Sequence, residues 1–269
     1  MTDFEFHLPV GEYYLKITSK HERLHQSIVR WYQFTQNPSD IKLAAINIVI
    51  TAEDYSLYPV EPVTQWEGNR CQYSGRGCKG IIEGSDPAML WINPNVGFQY
   101  IELFFRVVTA IRIFSIGGIM LHAAGIVRDQ LGYIFTGYSG AGKTTVCRLS
   151  DGCTVLNDDM VILSTNDSGW QISATPFTNP TQVRPGSGSA RLHQILILKQ
   201  DKNHHLEDIP NSKAVAELLT HVPVISTSSQ HTSSLVNRCE DIIRKTPVKE
   251  LHFLPDKGFW ELLGPIDQL

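Results

Sequence analysis

This 269-residue sequence contains few cysteines and has a small net charge. Its five cysteines are odd in number and lie in ordinary core-like sequence, so no disulfide framework is predicted and a reducing cytoplasm is the expected compartment. Cys71 and Cys78 do not have the spacing of a zinc knuckle, which favours free thiols. A formal net charge of −4 gives no reason to expect nucleic acid or an anionic membrane as a partner.

A long hydrophobic run free of charge is also missing. The most apolar stretch is residues 101–127, and ionisable side chains and a glycine pair interrupt it: Glu102, Arg106, Arg112, His122 and Gly117-Gly118. This stretch is therefore predicted to be a core helix followed by a core strand rather than a membrane span. Asp3 and Glu5 argue against a secretory signal. Internal repeats are absent, and 42% hydrophobic with 19% charged residues is typical of a soluble globular protein.

Prolines, glycines and hydrophobic periodicity divide the chain into two predicted domains. The first, residues 1–95, combines strands with a helix and ends at the breaker Asn93-Pro94-Asn95. No catalytic constellation stands out in it, so it is interpreted as a small α+β domain for packing or substrate recognition. Its predicted elements are strands at 12–18 and 41–51, a helix at 22–34 and hairpins within 66–91.

The second predicted domain, residues 96–269, begins with a long apolar helix and continues with strands and helices. The predicted fold class is α/β (α+β). Helices are predicted at 96–114, 143–149, 211–220, 232–245 and 257–263, and strands at 120–127, 133–136, 153–163, 170–174, 192–198 and 248–254. A loop rich in Pro, Gly, Ser and Thr at 175–190 either closes over a site or is an exposed linker.

One stretch of this domain matches a phosphate-binding pattern at every fixed position. The residues Gly137-Tyr138-Ser139-Gly140-Ala141-Gly142-Lys143-Thr144 fit G-x-x-x-x-G-K-[ST], the Walker A motif. Glycines let backbone N–H groups turn toward phosphate oxygens, Lys143 reaches the terminal phosphates, and the Thr144 hydroxyl can ligate Mg²⁺. An apolar strand precedes the motif and a helix follows it, and the first N–H groups of that helix favour an anion. Nucleotide binding is therefore predicted for these eight residues together with Thr145.

Two adjacent carboxylates, Asp158 and Asp159, interrupt the apolar strand predicted at 153–163. Asp158 follows Thr144 by only 14 positions. Two acids within an apolar strand are unfavourable unless they serve metal or proton chemistry, although a solvated structural turn is the alternative. Because the Walker A motif lies just upstream, the pair is interpreted as functional, and the predicted Mg²⁺ ligands are Thr144, Asp158 and Asp159.

Residues 121–163 resemble the core of the HPr kinase/phosphorylase family and its serine-kinase relatives, whose phosphate-loop fold is related to that of ATP-dependent phosphoenolpyruvate carboxykinase. Three features carry the resemblance: His122 in a strand 21 residues before Lys143, the Walker A motif, and the acidic pair soon after the helix. The match covers about a sixth of the chain. The family's later Glu-x-Arg-Gly signature is replaced here by Gln182-Val183-Arg184-Pro185-Gly186, so the resemblance is not extended to phosphorolysis or to HPr.

The resemblance implies a P-loop core built from a mixed β-sheet with flanking helices. It also implies an ATP-dependent kinase that transfers the γ-phosphate to a hydroxyl acceptor, namely a serine in a protein or peptide, or a small molecule. Asp158 would be the base for the acceptor hydroxyl, and Lys143 would neutralise developing charge. Asp159 would hold the metal or His122. A lone histidine in an apolar strand is also a common structural core residue, so both roles stay open for His122.

Two arginines, Arg184 and Arg191, are candidates to stabilise the transferring phosphate, with a plain surface role as the alternative. The implied partners are ATP and the hydroxyl acceptor. Relatives of the family often assemble, so the resemblance also implies a homo-oligomer.

Two other functions fit the motif. A transport-type ATPase would share the glycine-rich stretch, but the nearest signature-like text, Leu149-Ser150-Asp151-Gly152, comes too soon after it. A nucleotide-binding regulator without transfer would not need the intact set of Lys143, Thr144 and two aspartates. A carboxykinase is disfavoured because the chain is too short for the full architecture of that family.

Overall fold

The computed structural model describes residues 3–33, 44–58, 60–178 and 183–264. Gln182 and the first residues of the strand predicted at 41–51 lie outside the described residues. The chain divides into two units, Met1–Arg112 and Ile113–Leu269. This division falls within a long helix, and the domain boundary expected at Asn93-Pro94-Asn95 stays a prediction.

The described part of the first unit forms a seven-stranded mixed sheet. Its elements are β1 (Phe4–Val10), β2 (Tyr13–Ser19), α1 (Glu22–Trp31), β3 (Ala44–Ala52), β4 (Val63–Glu67), β5 (Arg70–Gly75), β6 (Cys78–Glu83), β7 (Ala88–Ile92) and α2 (Phe98–Ser115). The order across the sheet is β1-β2-β3-β7-β6-β5-β4, in which β2, β3 and β7 are parallel and the other neighbours antiparallel. Buried and exposed side chains alternate along these strands with the period of two that a one-sided core requires. The hairpins predicted for this region are confirmed, and so is the helix predicted at 22–34, although α1 ends at Trp31 and Phe34 lies outside the described residues.

The apolar helix α2 contains a carboxylate that its neighbours neutralise. Glu102 is buried, and it accepts hydrogen bonds from Trp31 Nε1 at 2.7 Å and from Arg106 Nη2 at 2.9 Å. A buried charge is tolerated when it is paired and hydrogen-bonded in this way. The long helix predicted at 96–114 is confirmed, and no helix within the described ranges is both long and apolar enough to cross a membrane.

The second unit is built on a nine-stranded mixed sheet. Its strands are β8 (Ile119–His122), β9 (Ala124–Arg128), β10 (Leu131–Thr136), β11 (Thr154–Asn157), β12 (Met160–Asn166), β13 (Gly169–Ser173), β14 (Ser189–Gln200), β15 (His205–Asp208) and β16 (Val248–Phe253). Its helices are α3 (Lys143–Arg148), α4 (Asn211–Thr220), α5 (Thr232–Lys245) and α6 (Phe259–Leu262). The fold is therefore a mixed α/β arrangement, as the sequence predicts.

Three parallel strands lie at the centre of this sheet. β14 pairs in parallel with β10 on one side and with β16 on the other. Because parallel strands end at the same edge, Thr136, Gln200 and Phe253, which close these three strands, lie at one edge of the sheet. Ligands of open α/β sheets bind outside this carboxyl edge. The glycine-rich segment begins there, directly after β10.

The strand predicted at 120–127 is wrong in one respect, because it consists of two strands, β8 and β9, separated by Ala123. β8 pairs with β12, whereas β9 pairs with β10 and β11. The apolar sequence does not reveal this change of partner, since both halves are buried.

The interruption predicted at the acidic pair is confirmed, because Asp158 and Asp159 separate β11 from β12. The antiparallel register is the same on both sides of the gap: Gly125 lies opposite Asn157, and His122 lies opposite Met160. The strand pairing is thus interrupted at the two aspartates and resumes at Met160. This interruption places the two carboxylates beside the end of β8.

One face of the central sheet packs against α3 and α6. Val146 and Cys147 of α3 and Phe259 of α6 are buried with sheet residues in one hydrophobic cluster. The sheet contributes Ala124, Ile126, Tyr133, Phe135, Leu196, Leu198, Leu251 and Phe253 to it. Burying a side chain of this size stabilises the fold by about 1.5–3 kcal/mol, so this cluster holds α3 firmly behind the glycine-rich segment.

Candidate functional site

The glycine-rich loop, residues 137–144, connects β10 to α3. Gly137, Gly140 and Gly142 have φ values of 150°, 82° and 115°, a region that residues with a Cβ rarely adopt. A Cβ on Gly142 would lie only 2.5 Å from Cζ of Phe253. All three glycines are thus required by their backbone conformation, and Gly142 is also required because Phe253 leaves no room for a Cβ. Without side chains at these positions, the loop backbone stays accessible.

The other predicted loop residues divide by exposure. Tyr138, Ser139 and Gly140 are exposed, while Ala141, Gly142, Lys143, Thr144 and Thr145 are half-buried. The helix that follows, α3, has only six residues and no side-chain cap at Gly142. Because no side chain caps α3, its first N–H groups can face an anion together with the loop backbone and Lys143.

Lys143 lies over the loop that precedes it. Its Nζ donates a hydrogen bond to the carbonyl oxygen of Gly137 at 2.8 Å and reaches that of Tyr138 at 3.4 Å. Burial lowers the pKa of Lys143, while the negative charges of Asp159 and Asp158 act in the opposite direction. The two carboxylates and the ammonium group are therefore close enough to interact electrostatically, although they are separated in sequence.

Asn157 fixes the backbone at the acidic pair. Its Oδ1 accepts hydrogen bonds from the backbone N–H groups of Asp159 at 2.7 Å and Met160 at 2.9 Å. Its Nδ2 donates to the carbonyl oxygens of Thr175 at 3.0 Å and Phe177 at 2.8 Å. The sequence pattern did not single out Asn157, because one asparagine beside two aspartates resembles an ordinary turn signal.

Asp158 is the more buried of the two acids, at 2% exposure. Its Oδ2 accepts a hydrogen bond from the backbone N–H of Val183 at 3.2 Å, whereas its Oδ1 is buried and has no hydrogen-bond partner among the described residues. Burial raises the pKa of the Cys147 thiol, and the charge of Asp158 adds to that effect. Asp158 therefore lies beside α3 with one carboxylate oxygen uncommitted, an arrangement that suits a ligand or a proton acceptor.

Asp159 pairs with His122, the histidine at the end of β8. The distance from His122 Nε2 to Asp159 Oδ1 is 3.0 Å. The His122 side chain is 44% exposed and that of Asp159 12% exposed, so this pair lies at the surface of the site. His122 is therefore not a satisfied core histidine, which was the alternative reading of its sequence position.

A second histidine, His221, was not predicted from sequence. It follows α4, and its backbone carbonyl accepts a hydrogen bond from His122 N–H at 2.7 Å. Burial, and then the positive charges of Lys143 and His122, lower the pKa of His221 to about 4. Its ring centroid is 6.2 Å from that of Tyr138 in the loop. His221 is thus a neutral imidazole close to Lys143, and only the fold brings it there.

The two candidate arginines have different positions. Arg184 is exposed and follows Val183, whose N–H contacts Asp158, so it stays near the acidic pair. Arg191 is paired in register with Leu131 at the start of β10, six residues before the loop begins. A strand rises about 3.3 Å per residue, which places Arg191 roughly 20 Å from the loop. Arg191 therefore lies far from the candidate site.

Comparison with known proteins gives a weak structural likeness. No protein-family model and no curated protein sequence matches this chain. The structure is similar to that of the HPr(Ser) kinase/phosphatase from Coxiella burnetii, with a TM-score of 0.26 and 14% sequence identity over 34% of this chain and 77% of that one. At this TM-score and identity, the likeness does not show a shared fold or function.

Proposed function

We propose that this protein is an ATP-dependent kinase with an HPr kinase-like P-loop core, which transfers the γ-phosphate of ATP to a hydroxyl group. The observation that carries the proposal is the glycine-rich loop, whose Lys143 Nζ lies 2.8 Å from the Gly137 carbonyl oxygen, together with the buried Asp158 Oδ1, which has no hydrogen-bond partner among the described residues. A glycine-rich loop, its lysine and a nearby acidic pair are the parts that phosphoryl transfer requires for positioning and charge stabilisation.

In this proposal the loop and its lysine hold the phosphate chain. Backbone N–H groups of residues 137–144 face the phosphate oxygens, because glycines keep the loop open on that side. The Lys143 ammonium moves from the carbonyl oxygens of Gly137 and Tyr138 to the β- and γ-phosphate oxygens and neutralises the charge that develops there. His221 stays neutral at pH 7, so it adds no competing positive charge beside Lys143.

Asp158 is proposed as the base for the acceptor hydroxyl. Its Oδ2 is oriented by the N–H of Val183, and its buried Oδ1 has no hydrogen-bond partner within the described residues. A carboxylate oxygen in this state can accept the proton of a hydroxyl group as that group attacks phosphorus. Asp159, paired with His122, is then the carboxylate that orients the neighbouring groups.

The chain offers oxygen ligands suited to magnesium. The Thr144 hydroxyl and the carboxylates of Asp158 and Asp159 would hold the ion, and hard oxygen donors are what Mg²⁺ prefers. The uncommitted oxygen of Asp158 fits this role as well as that of the base. When bound, Mg²⁺ would reduce the negative charge of the phosphate chain, which otherwise repels a nucleophile.

Transfer of a radiolabelled γ-phosphate tests the proposal. Purified protein, Mg²⁺ and labelled ATP would be incubated with a degenerate library of serine peptides and, separately, with a desalted pool of small hydroxyl compounds. Label in one acceptor pool is expected, and Lys143→Ala should abolish it while the fold is retained. Lys16→Ala is the matched control, since Lys16 is paired with Glu5 at 2.8 Å on β2. Release of free phosphate alone would indicate an ATPase, and binding without turnover a regulator.

Four further assignments accompany this proposal. Residues 96–269 form the ATP-binding part, and residues 1–95 serve packing or acceptor recognition. A homo-oligomer and a cytoplasmic location remain predictions from the sequence.

A further inference from the structure

A cluster of metal-ligating side chains lies on β15, on β16 and directly after β14, at the same carboxyl edge of the sheet as the glycine-rich loop. The neighbouring Gln200 donates a hydrogen bond from Nε2 to the carbonyl oxygen of Gly140 at 2.7 Å. His205 and His252 are opposite each other on the antiparallel strands β15 and β16, and their ring centroids are 4.1 Å apart. Asp201 directly follows β14, and its Oδ2 lies 3.0 Å from Nδ1 of His252. One ligand atom from each of the three residues lies within 4.8 Å of the other two.

These distances suit a common metal ion. Bonds of about 2.0–2.2 Å in a tetrahedral site separate neighbouring ligand atoms by roughly 3.3–3.6 Å, which is close to the spacing of the three atoms. The two rings are stacked with 16° between their planes, so one imidazole must turn about its Cβ–Cγ bond before both lone pairs point at one ion. Two imidazoles and one carboxylate form a ligand set of transition-metal sites that keep an open position. We propose that Asp201, His205 and His252 bind a divalent transition-metal ion of the Zn²⁺ class.

A second group of three potential ligands shares His252, and the charges around it argue against it as the metal site. Glu207, Glu250 and His252 also lie within ligating distance of one another, but Glu250 is 3.0 Å from Lys213 Nζ and 3.4 Å from Lys199 Nζ. Two ammonium groups at that carboxylate oppose a cation. Glu207 has a different use, because its Oε2 lies 3.4 Å from Nε2 of His252.

The 3.4 Å contact is not a hydrogen bond, but it places a carboxylate beside the second ring nitrogen of His252. A ligating histidine usually presents its second ring nitrogen to a carboxylate, which fixes the tautomer and the ring plane. With Glu207 at Nε2, Nδ1 of His252 points toward Asp201, where the ion would bind. The site therefore has three ligands and an outer carboxylate, and it does not depend on the proposed kinase activity.

The site is distinguishable from a magnesium site by its ligands. Imidazole nitrogens favour Zn²⁺, Co²⁺ and Ni²⁺, whereas Mg²⁺ prefers oxygen donors and keeps its water. Excess Mg²⁺ is therefore expected to leave the bound ion in place.

Co²⁺ titration of the tag-free full chain tests this site. Visible d–d absorption should saturate at one equivalent, and Zn²⁺ should then displace Co²⁺. His205→Ala and His252→Ala should each weaken binding by roughly 100-fold or more, since even an outer-shell change costs 10–100-fold. His205 is exposed, so its removal leaves the core intact.

His7→Ala is the matched control, because His7 pairs with Glu5 at 2.7 Å on β1 but belongs to no three-ligand group in the described part of the chain. This variant should bind Co²⁺ like the wild type. Absence of saturable binding, displacement by Mg²⁺, or unchanged affinity in His205→Ala would each overturn the proposal.

Discussion

Replacing Gly142 with alanine should deform the glycine-rich loop, because two constraints act on this residue together. Its φ is 115°, and an added Cβ would lie 2.5 Å from Cζ of Phe253. The Phe253 ring is 3% exposed within the core, so it has little room to move aside. The loop must shift instead, and Lys143, the next residue, would shift with it.

The expected magnitude follows from these two constraints. Left-handed backbone strain on a residue with a Cβ is about 1–2 kcal/mol, and overpacking of a filled core adds about 1–3 kcal/mol. The free energy of unfolding should therefore fall by about 2–5 kcal/mol in Gly142→Ala. Gly152→Ala is the matched control, because Gly152 has a φ of 79° but no atom within 4 Å of its added Cβ. It should lose only the strain, about 1–2 kcal/mol.

A double-mutant cycle with Phe253→Leu isolates the steric contribution. Leucine lacks the Cζ atom that the new methyl group meets, so Gly142→Ala should be less harmful in the Phe253→Leu background. Urea unfolding would give the four free energies, and calorimetric titration with Mg²⁺-ATP would show the loss of affinity in Gly142→Ala. Equal stability of Gly142→Ala and Gly152→Ala, or strict additivity in the cycle, would refute the reasoning.

Two other predictions concern the acidic pair and its surroundings. Asp158→Asn should keep nucleotide binding but slow transfer by about 10²–10⁴-fold, the usual contribution of a general base, and a fully active variant would exclude Asp158 from that role. Because the pKa of His221 falls from 6.5 to about 4 on folding, the unfolded chain binds the extra proton more readily, and stability should be lost as the pH drops through that window. The loss is at most about 3 kcal/mol, and an unchanged pH slope in His221→Gln, measured by unfolding at pH 7 and pH 4, would contradict it.

Hydrophobic periodicity was sufficient for most elements because each helix and strand carries its own local pattern. The long helix α2 and the central strand β14 follow directly from apolar spacing in the sequence. The interruption at Asp158 and Asp159 was also predictable, since two carboxylates cannot continue a buried ladder without partners. These features depend on residues that are neighbours in the chain.

Long-range pairing was not predictable in the same way. The break at Ala123 arises because β8 and β9 join different neighbours, and no local signal marks that change. His221 reaches Lys143 and His122 only through the packing of the segment after α4, and Asn157 gains its role from carbonyl groups of Thr175 and Phe177. Single histidines and asparagines are common in loops, so their sequence context gave no reason to select them.

The most direct test of the central claim is the affinity of Mg²⁺-ATP for the glycine-rich loop. Calorimetric titration of the wild type, Lys143→Ala and Lys16→Ala would compare the same substitution inside and outside the proposed site. One binding site is expected in the wild type and in Lys16→Ala, with binding lost in Lys143→Ala although its unfolding is unchanged. Equal affinity in all three proteins would contradict the account.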